Sequence, residues 1–304
     1  MQIIVPVYNS SKFLSNCLDS IINQKTSFSY IVTLVDDGST DNSLSICNEY
    51  KKKYKNIFVI TQKNQGLSEA RNAALTQIYG KYIMFIDSDD MLYDFSLEKV
   101  FIVARTTDAK IVFNKYQYSR NINKPNQDKV HHHVDNSLNY HGIVCGHLYH
   151  YSTLQNFYFP KNLYYEDTFM FFLIFYARIE SIVTNIFTYF YRKNTDSISS
   201  SKTDKSIDTV YVLILSLKYY YAKNLPNDNK ISEKIISQMK QNFLRTTHLH
   251  EFEKRRIFEI NYYLLNKYKI KKPISKINKI LYKSILNKKY NKYRYILESF
   301  AWIY

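Results

Sequence analysis

Hydrophobic positions in the first ninety residues alternate between short continuous runs and helically spaced sets. Ile3–Val7 is an apolar run closed by Tyr8 and Asn9; Phe13, Cys17, Leu18, Ile21 and Ile22 then recur every three to four residues. The first pattern predicts a buried strand and the second an amphipathic helix. The alternation continues with a strand over Ile31–Val35, a helix through Leu44, Ile46 and Tyr50, and a strand over Ile57–Ile60. A helix over Leu67–Ile78 and a strand over Tyr82–Ile86 complete it. Ser39, Thr40 and Asp41 offer N-cap chemistry to the helix that follows them. Repeats of this kind predict an α/β fold, a mostly parallel sheet with helices on both faces. Such sheets bind ligands beyond the carboxyl ends of their strands. The polar clusters Tyr8-Asn9, Asp36-Asp37, Asn64-Gln65 and Asp87-Ser88-Asp89-Asp90 fall at those ends.

The pattern changes in the last third. All five glycines lie in the first 146 residues of the 304, so turns needing positive φ are concentrated early. Residues 201–304 hold 22 Lys and Arg against 8 Asp and Glu, whereas residues 1–200 hold 20 against 18. The chain is therefore expected to consist of an α/β domain over 1–200 and a basic helical region over 201–304, which carries most of the formal charge of +16. The longest apolar run, Phe169–Ala177, is nine residues, whereas a membrane-spanning helix needs about 20. Met1 leads directly into a strand-like run, so no signal peptide is expected. Three cysteines, Cys17, Cys47 and Cys145, are too few for a disulfide scaffold or a zinc ribbon. Buried thiols in a reducing cytoplasm are the simpler expectation.

The acidic cluster after the fourth strand carries the most chemistry. Asp87 and Asp89 are two apart where extended chain is ending, and two close carboxylates are stabilised by a shared cation. Hard oxygen ligands suit Mg2+ or Mn2+ rather than zinc, and magnesium is commonly held by one or two carboxylates plus substrate phosphates. The plainer alternative is a solvated turn whose aspartates cap a helix near Phe95. A phosphatase of the haloacid dehalogenase type also places Asp-x-Asp after a strand, but after its first strand and before Gly-Thr or Gly-Val; here Asp90-Met91 follows.

Four segments occur in register: Ile3-Ile4-Val5-Pro6-Val7-Tyr8-Asn9, Val35-Asp36-Asp37-Gly38-Ser39-Thr40-Asp41, Asn64 to Asn72 with Gly66 and Arg71, and Phe85-Ile86-Asp87-Ser88-Asp89-Asp90. In order and spacing the chain resembles the family 2 glycosyltransferases, which have the Rossmann-like GT-A fold. Phe159 to Asp167 resembles that family's Glu-Asp element, and Tyr189 to Arg192 with Ser197-Ile198-Ser199 resembles the segment that follows it. The resemblance covers about residues 1–200. It implies that Pro6, Val7, Tyr8, Asp36 and Asp37 hold the base and ribose of a nucleotide, with Arg71 and Ser88 along it. It further implies a metal pair Asp87 and Asp89, a general base Asp167 and a partner Glu166. An aspartate accepting the imide N–H of uracil fits a UDP-linked donor without excluding thymidine. Arg192 is a weaker candidate for closing over the diphosphate; an exposed arginine at a strand end is the alternative, as a surface helix arginine is for Arg71. The implied reaction is an inverting hexosyl or N-acetylhexosaminyl transfer to a hydroxyl of a glycan or lipid-linked glycan in bacterial surface polysaccharide synthesis, such as capsule or lipopolysaccharide. From the residues alone, Glu166 and Asp167 open a strongly apolar helix whose dipole favours their anionic form, which is equally what a plain helix start requires.

The histidines add little. His131-His132-His133 lies among polar residues and reads as a surface loop, His147 falls where the resembling family places an acceptor contact, and His248 and His250 lie in the helical region. Residues 261–304 hold eleven basic side chains and one acid, Glu298, and Ile274, Ile277, Leu281 and Ile285 are spaced for one helical face, with Trp302 near the end. This pattern suits an anionic membrane surface, which would place the protein peripherally on the inner face of the cytoplasmic membrane. A helical subdomain or a homodimer contact would use the same pattern. Nucleic acid is not expected, since no recognition motif accompanies the charge. The competing reading is a catalytically inactive nucleotide-binding or scaffold protein of the same fold; a sugar nucleotidyltransferase lacks support because no Gly-rich loop follows the first strand.

Overall fold

The computed structural model describes residues 1–119, 143–192, 204–224 and 227–301. The triple histidine, the Ser197–Ser199 segment and Trp302 lie outside the described residues. The chain forms two compact units. The first comprises Met1–Asn162 and Arg178–Ser200, and the second Leu163–Ala177 and Ser201–Tyr304. The short segment carrying Glu166 and Asp167 thus clusters with the later helices.

The first unit is built on one eight-stranded sheet. Its strands are β1 (Gln2–Val7), β2 (Ile31–Asp36), β3 (Ile57–Thr61), β4 (Tyr82–Phe85), β5 (Met91–Leu92), β6 (Ile111–Ser119), β7 (Leu148–His150) and β8 (Ser181–Arg192). They lie in the order β3-β2-β1-β4-β7-β6-β8-β5. Parallel pairs join β1 to β2 and β4, β2 to β3, and β6 to β8. Antiparallel pairs join β4 to β7, β6 to β7 and β5 to β8. The βα repeats of the first ninety residues account for the all-parallel half, and the mixed half is made by residues 91–192. The helices of this unit are α1 (Ser11–Ile22), α2 (Ser43–Lys53), α3 (Leu67–Leu75) and α4 (Ser96–Thr107).

Local chemistry fixes these boundaries. The burial of all six residues of β1 fits a strand paired on both sides. Ile4 O accepts from Ile86 N, so the even-numbered residues of β1 turn their backbone polar groups toward β4. Pairing with β4 ends at Ile4, and Pro6 therefore removes an N–H beyond the ladder, where none is needed. The residue flanking α2 is Asn42, whose side chain makes no capping bond. Asp41, one residue earlier, does that work. Its Oδ1 accepts from Ser43 N at 2.9 Å and its Oδ2 from Ser11 N at 3.0 Å, so one carboxylate serves the first amide of both α2 and α1. The helix after β3 stops at Leu75 rather than Ile78, closed by Thr76.

The second unit is helical: α5 (Glu166–Tyr176), α6 (Asp208–Ala222), α7 (Asn229–Arg245), α8 (Glu251–Lys267), α9 (Lys276–Leu286) and α10 (Tyr290–Ala301). Its core joins Leu213, Leu217, Ile235, Met239, Phe243 and Phe258 to Leu281, Ile285, Tyr293 and Leu297. Among the described residues no helix is long and apolar enough to cross a membrane. Cys17, Cys47 and Cys145 are buried thiols.

Candidate active site

β1 is flanked by β2 on one side and β4 on the other, so the strand order reverses between β1 and β4. Ligands of open α/β sheets bind at that switch point, beyond the strand ends. The residues that emerge there are Val7 to Asn9 from β1, Asp36 and Asp37 from β2, and Asp87 to Asp90 from β4.

The two aspartates after β2 have different surroundings. Both are 2% exposed. Asp37 Oδ1 accepts from Gln62 Nε2 (2.7 Å) and Gln65 N (2.9 Å), and its Oδ2 accepts from Gly66 N (2.8 Å). Its carboxylate therefore holds the 62–66 loop that leads into α3. Asp36 Oδ2 accepts only a long bond from Ser39 N, at 3.3 Å, and its Oδ1 is buried without a partner among the described residues. A buried carboxylate oxygen without a donor is costly, and a ligand N–H would satisfy it. Gly38, at φ +71, allows this turn: a Cβ there would stand 2.8 Å from Asn64 N. Asn9 closes the turn from the β1 side, accepting from Thr40 N and donating its own N–H to Ser39 Oγ. Pro6 and Val7 are buried in β1, while the Tyr8 side chain is half exposed at its end.

The acidic loop after β4 is held from both sides. Arg71, on α3, is 1% exposed. It lies between the rings of Phe85 and Phe159 and donates from Nη2 to Asp87 Oδ1 at 3.0 Å. It is a core cation of the site rather than a surface helix residue. The neighbouring Asn72 explains part of this placement. Its amide donates to Phe159 O (3.0 Å) and accepts from Phe159 N (2.8 Å), fixing the ring that covers the guanidinium.

On the other side, Asp90 is 1% exposed and accepts from Tyr189 Oη at 2.5 Å and from Arg192 N at 2.7 Å. Tyr189 Oη itself accepts from Asp87 N at 3.1 Å. Arg192 Nε donates to Asp89 O at 2.8 Å, and its guanidinium lies 4.7 Å from the Phe13 ring centre. Arg192 is 5% exposed, so the exposed strand-end reading does not hold; its Nη2 is buried without a partner among the described residues. The aspartates do not cap the next helix: β5 intervenes, and α4 starts after Phe95 with no side-chain cap. Asp90 and Tyr189 were in view in the sequence, within the acidic cluster and the Tyr189–Arg192 segment, but no local signal joins positions 99 residues apart.

Electrostatics follow from this burial. Desolvation, then the Asp87 charge, raises Asp89 to about 6. Asp90 is also raised well above the usual carboxylate range, by burial and by its two acidic neighbours. Burial raises Cys17, whose Sγ donates to Asp87 O. The site thus concentrates three carboxylates against two guanidinium groups. Asp87 and Asp89 supply hard oxygens in a partly desolvated pocket, and the Arg192 charge does not return Asp89 to the usual carboxylate range. This donor set fits a divalent cation. Ser88 lies between them, partly exposed. His147 is no surface contact: it is 1% exposed, accepts from Asn114 N through Nδ1, and burial depresses its pKa to about 3.

Glu166 and Asp167 open α5 in the second unit, and Glu166 is buried. Tyr165, just before them, is in the left-handed region at φ 67, an unusual conformation for a bulky residue. Its ring lies under the Arg245 guanidinium at 4.4 Å, and the Asp167 charge acts on the same arginine.

The sequence model of glycosyl transferase family 2 matches residues 2–196. The poly(ribitol-phosphate) beta-glucosyltransferase of Bacillus spizizenii is 41% identical over 118 residues, 38% of this chain and 19% of that protein. Glycosyltransferase GlyA of Streptococcus pneumoniae is 41% identical over 121 residues, 40% of this chain and 17% of that protein. The matched stretch thus spans less than a fifth of either relative. Among solved structures, S. aureus TarS 1-349 in complex with UDP-GlcNAc aligns with a TM-score of 0.77 at 20% identity, covering 98% of this chain and 90% of that one. Mannosyltransferase PcManGT from Pyrobaculum calidifontis, in complex with GDP-Man and Mn2+, aligns at 0.56 and 14% identity, covering 99% and 86%. The likeness to TarS shows a shared GT-A fold. With nearly two thirds of its length matched by the family model, the chain belongs to glycosyl transferase family 2.

Proposed function

We propose that the protein is an inverting glycosyltransferase that moves a sugar from a UDP-linked donor to a hydroxyl of a bacterial cell-surface glycan or its lipid-linked precursor. The observation that carries this reading is a pair of buried polar atoms without partners among the described residues: Asp36 Oδ1 at the sheet's switch point, and Nη2 of Arg192, whose Nε donates to the acidic loop at Asp89 O. The first accepts the imide N–H of the base, and the second donates to the diphosphate. A named relative that is a glucosyltransferase and a fold neighbour bound to UDP-GlcNAc support the donor class.

Asp87 and Asp89 would hold Mn2+ or Mg2+, which when bound neutralises charge on the departing diphosphate. Arg71 orients Asp87 through its Nη2 bond to Oδ1, and the Asp90–Tyr189 pair fixes the loop that carries Asp89. Asp167 takes the proton of the acceptor hydroxyl while its oxygen bonds to the anomeric carbon, and the bond from that carbon to the diphosphate oxygen breaks. One displacement inverts the configuration. Asp167 lies in the first turn of α5, where the helix dipole favours the anion that a base requires, and Glu166 is its partner or an acceptor contact.

Calorimetric titration with UDP, GDP and dTDP, each with Mn2+ and with chelator, tests the donor half. Metal-dependent binding of UDP above the others is expected, and binding of none would overturn the reading. For the acceptor half, Asp167→Asn is expected to lose sugar transfer at least about a hundredfold while keeping UDP affinity. Normal turnover by that variant would remove Asp167 from the mechanism.

A further inference from the structure

The basic C-terminal segment presents an apolar stripe that its own unit leaves uncovered. α9 turns Asn278, Leu281, Ser284 and Ile285 inward, so the stripe read from spacing alone is divided. At about 100° per residue, Lys276, Ile280 and Lys283 lie within about 60° of one another on the opposite side, with Ile277 at the rim. Ile277 and Ile280 are 39% and 37% exposed, and Ile274, in the turn before the helix, is 52% exposed.

That turn is anchored. Glu233 Oε2 accepts from Ile274 N (2.6 Å) and Ser275 N (2.9 Å), its Oε1 accepts from Asn278 Nδ2 (2.7 Å), and Ser275 caps the helix. Ile274 is therefore held in solvent by hydrogen bonds to its backbone. Nine lysines and no acid occur between residues 269 and 292. Lys271, Lys272, Lys276, Lys283 and Lys288 are all exposed.

A single exposed isoleucine needs no explanation; three at a spacing of three, pinned and ringed by lysines, do. A soluble polyanion would satisfy the lysines and leave the isoleucines in water. A second copy of the chain would bring like charges face to face. An anionic bilayer satisfies both, taking the isoleucines into the acyl boundary while the lysines reach its headgroups. We propose that the Ile274–Ile277–Ile280 stripe seats the protein on an anionic lipid surface. Lipid binding of this kind is independent of glycosyl transfer.

The test is co-sedimentation of the full chain with vesicles of phosphatidylcholine alone and of phosphatidylcholine with about 30% phosphatidylglycerol. Binding to the anionic vesicles at least about tenfold tighter is expected, weakening as salt is raised. Ile277→Glu with Ile280→Glu should lose that binding while UDP affinity and circular dichroism stay unchanged; Lys276→Glu with Lys283→Glu is a second variant that adds no charge at an apolar position. Equal binding by the wild type and both variants would overturn the proposal, as would absence of vesicle binding. So would wild-type binding of polyphosphate with no effect of the isoleucine changes, or a dimer in solution that those changes split while lipid binding is nil.

Discussion

At pH 7.5 the metal-free protein holds Asp89 as an anion that burial and the Asp87 charge have raised to about 6. An acid raised in the folded state favours folding fully below its ordinary value and loses that contribution as pH rises through the folded one. The penalty above pH 6 is at most about 3 kcal/mol. Asp89→Asn is therefore expected to raise the melting temperature in chelator by several degrees at pH 7.5 and very little at pH 4, while abolishing metal-dependent UDP binding. Differential scanning fluorimetry across that range checks the sign. Tyr189→Phe acts oppositely. It strips a partner from buried Asp90 and from Asp87 N, at a cost of about 1–3 kcal/mol, and UDP affinity should fall about tenfold or less if the loop loosens. These roles were only partly legible. The carboxylates could be picked out by spacing, but Arg71 and Arg192 carry no mark of burial in their own segments. They are buried because Asp87, Asp89 and the rings of Phe13, Phe85 and Phe159 come to them from elsewhere in the chain.

Among the elements, the turn before α3 and the turn into β7 respond differently to one added methyl group. Gly66 has φ +88 and ψ 167, a region open essentially only to glycine, so Gly66→Ala should cost about 1–3 kcal/mol from backbone strain alone, since an added Cβ would meet nothing within 4 Å. Gly146 has φ +76, and its Cβ would stand 2.5 Å from Tyr189 Cβ. Gly146→Ala is expected to cost at least twice as much and to weaken UDP binding by displacing Tyr189; urea denaturation with a parallel titration separates the two effects. The strands β1 to β4 were legible because each is an apolar run bounded by polar turn residues. The division of α9 was not, because two overlapping stripes satisfy the same period, and only the Glu233 anchor and the neighbouring helices choose which faces inward.

For the whole molecule, charge gives opposite salt responses in two experiments. A net charge of +16 with pI near 9.4 opposes compaction. Raising salt from about 20 to 300 mM should screen that repulsion and raise the melting temperature by a few degrees. The same titration should weaken attachment to anionic vesicles. If both rose together, the lysines between 269 and 292 would not be what meets the lipid.

Exposed positions usually tolerate most side chains, and Asp41 is exposed. Its two oxygens nevertheless start two helices at once. Asparagine offers one acceptor and turns an amide toward an N–H, serine offers a single oxygen, and glutamate reaches past both. In a saturation library selected for folded protein, position 41 should therefore read like a core site, with its permitted alphabet reduced to aspartate although no burial restricts it.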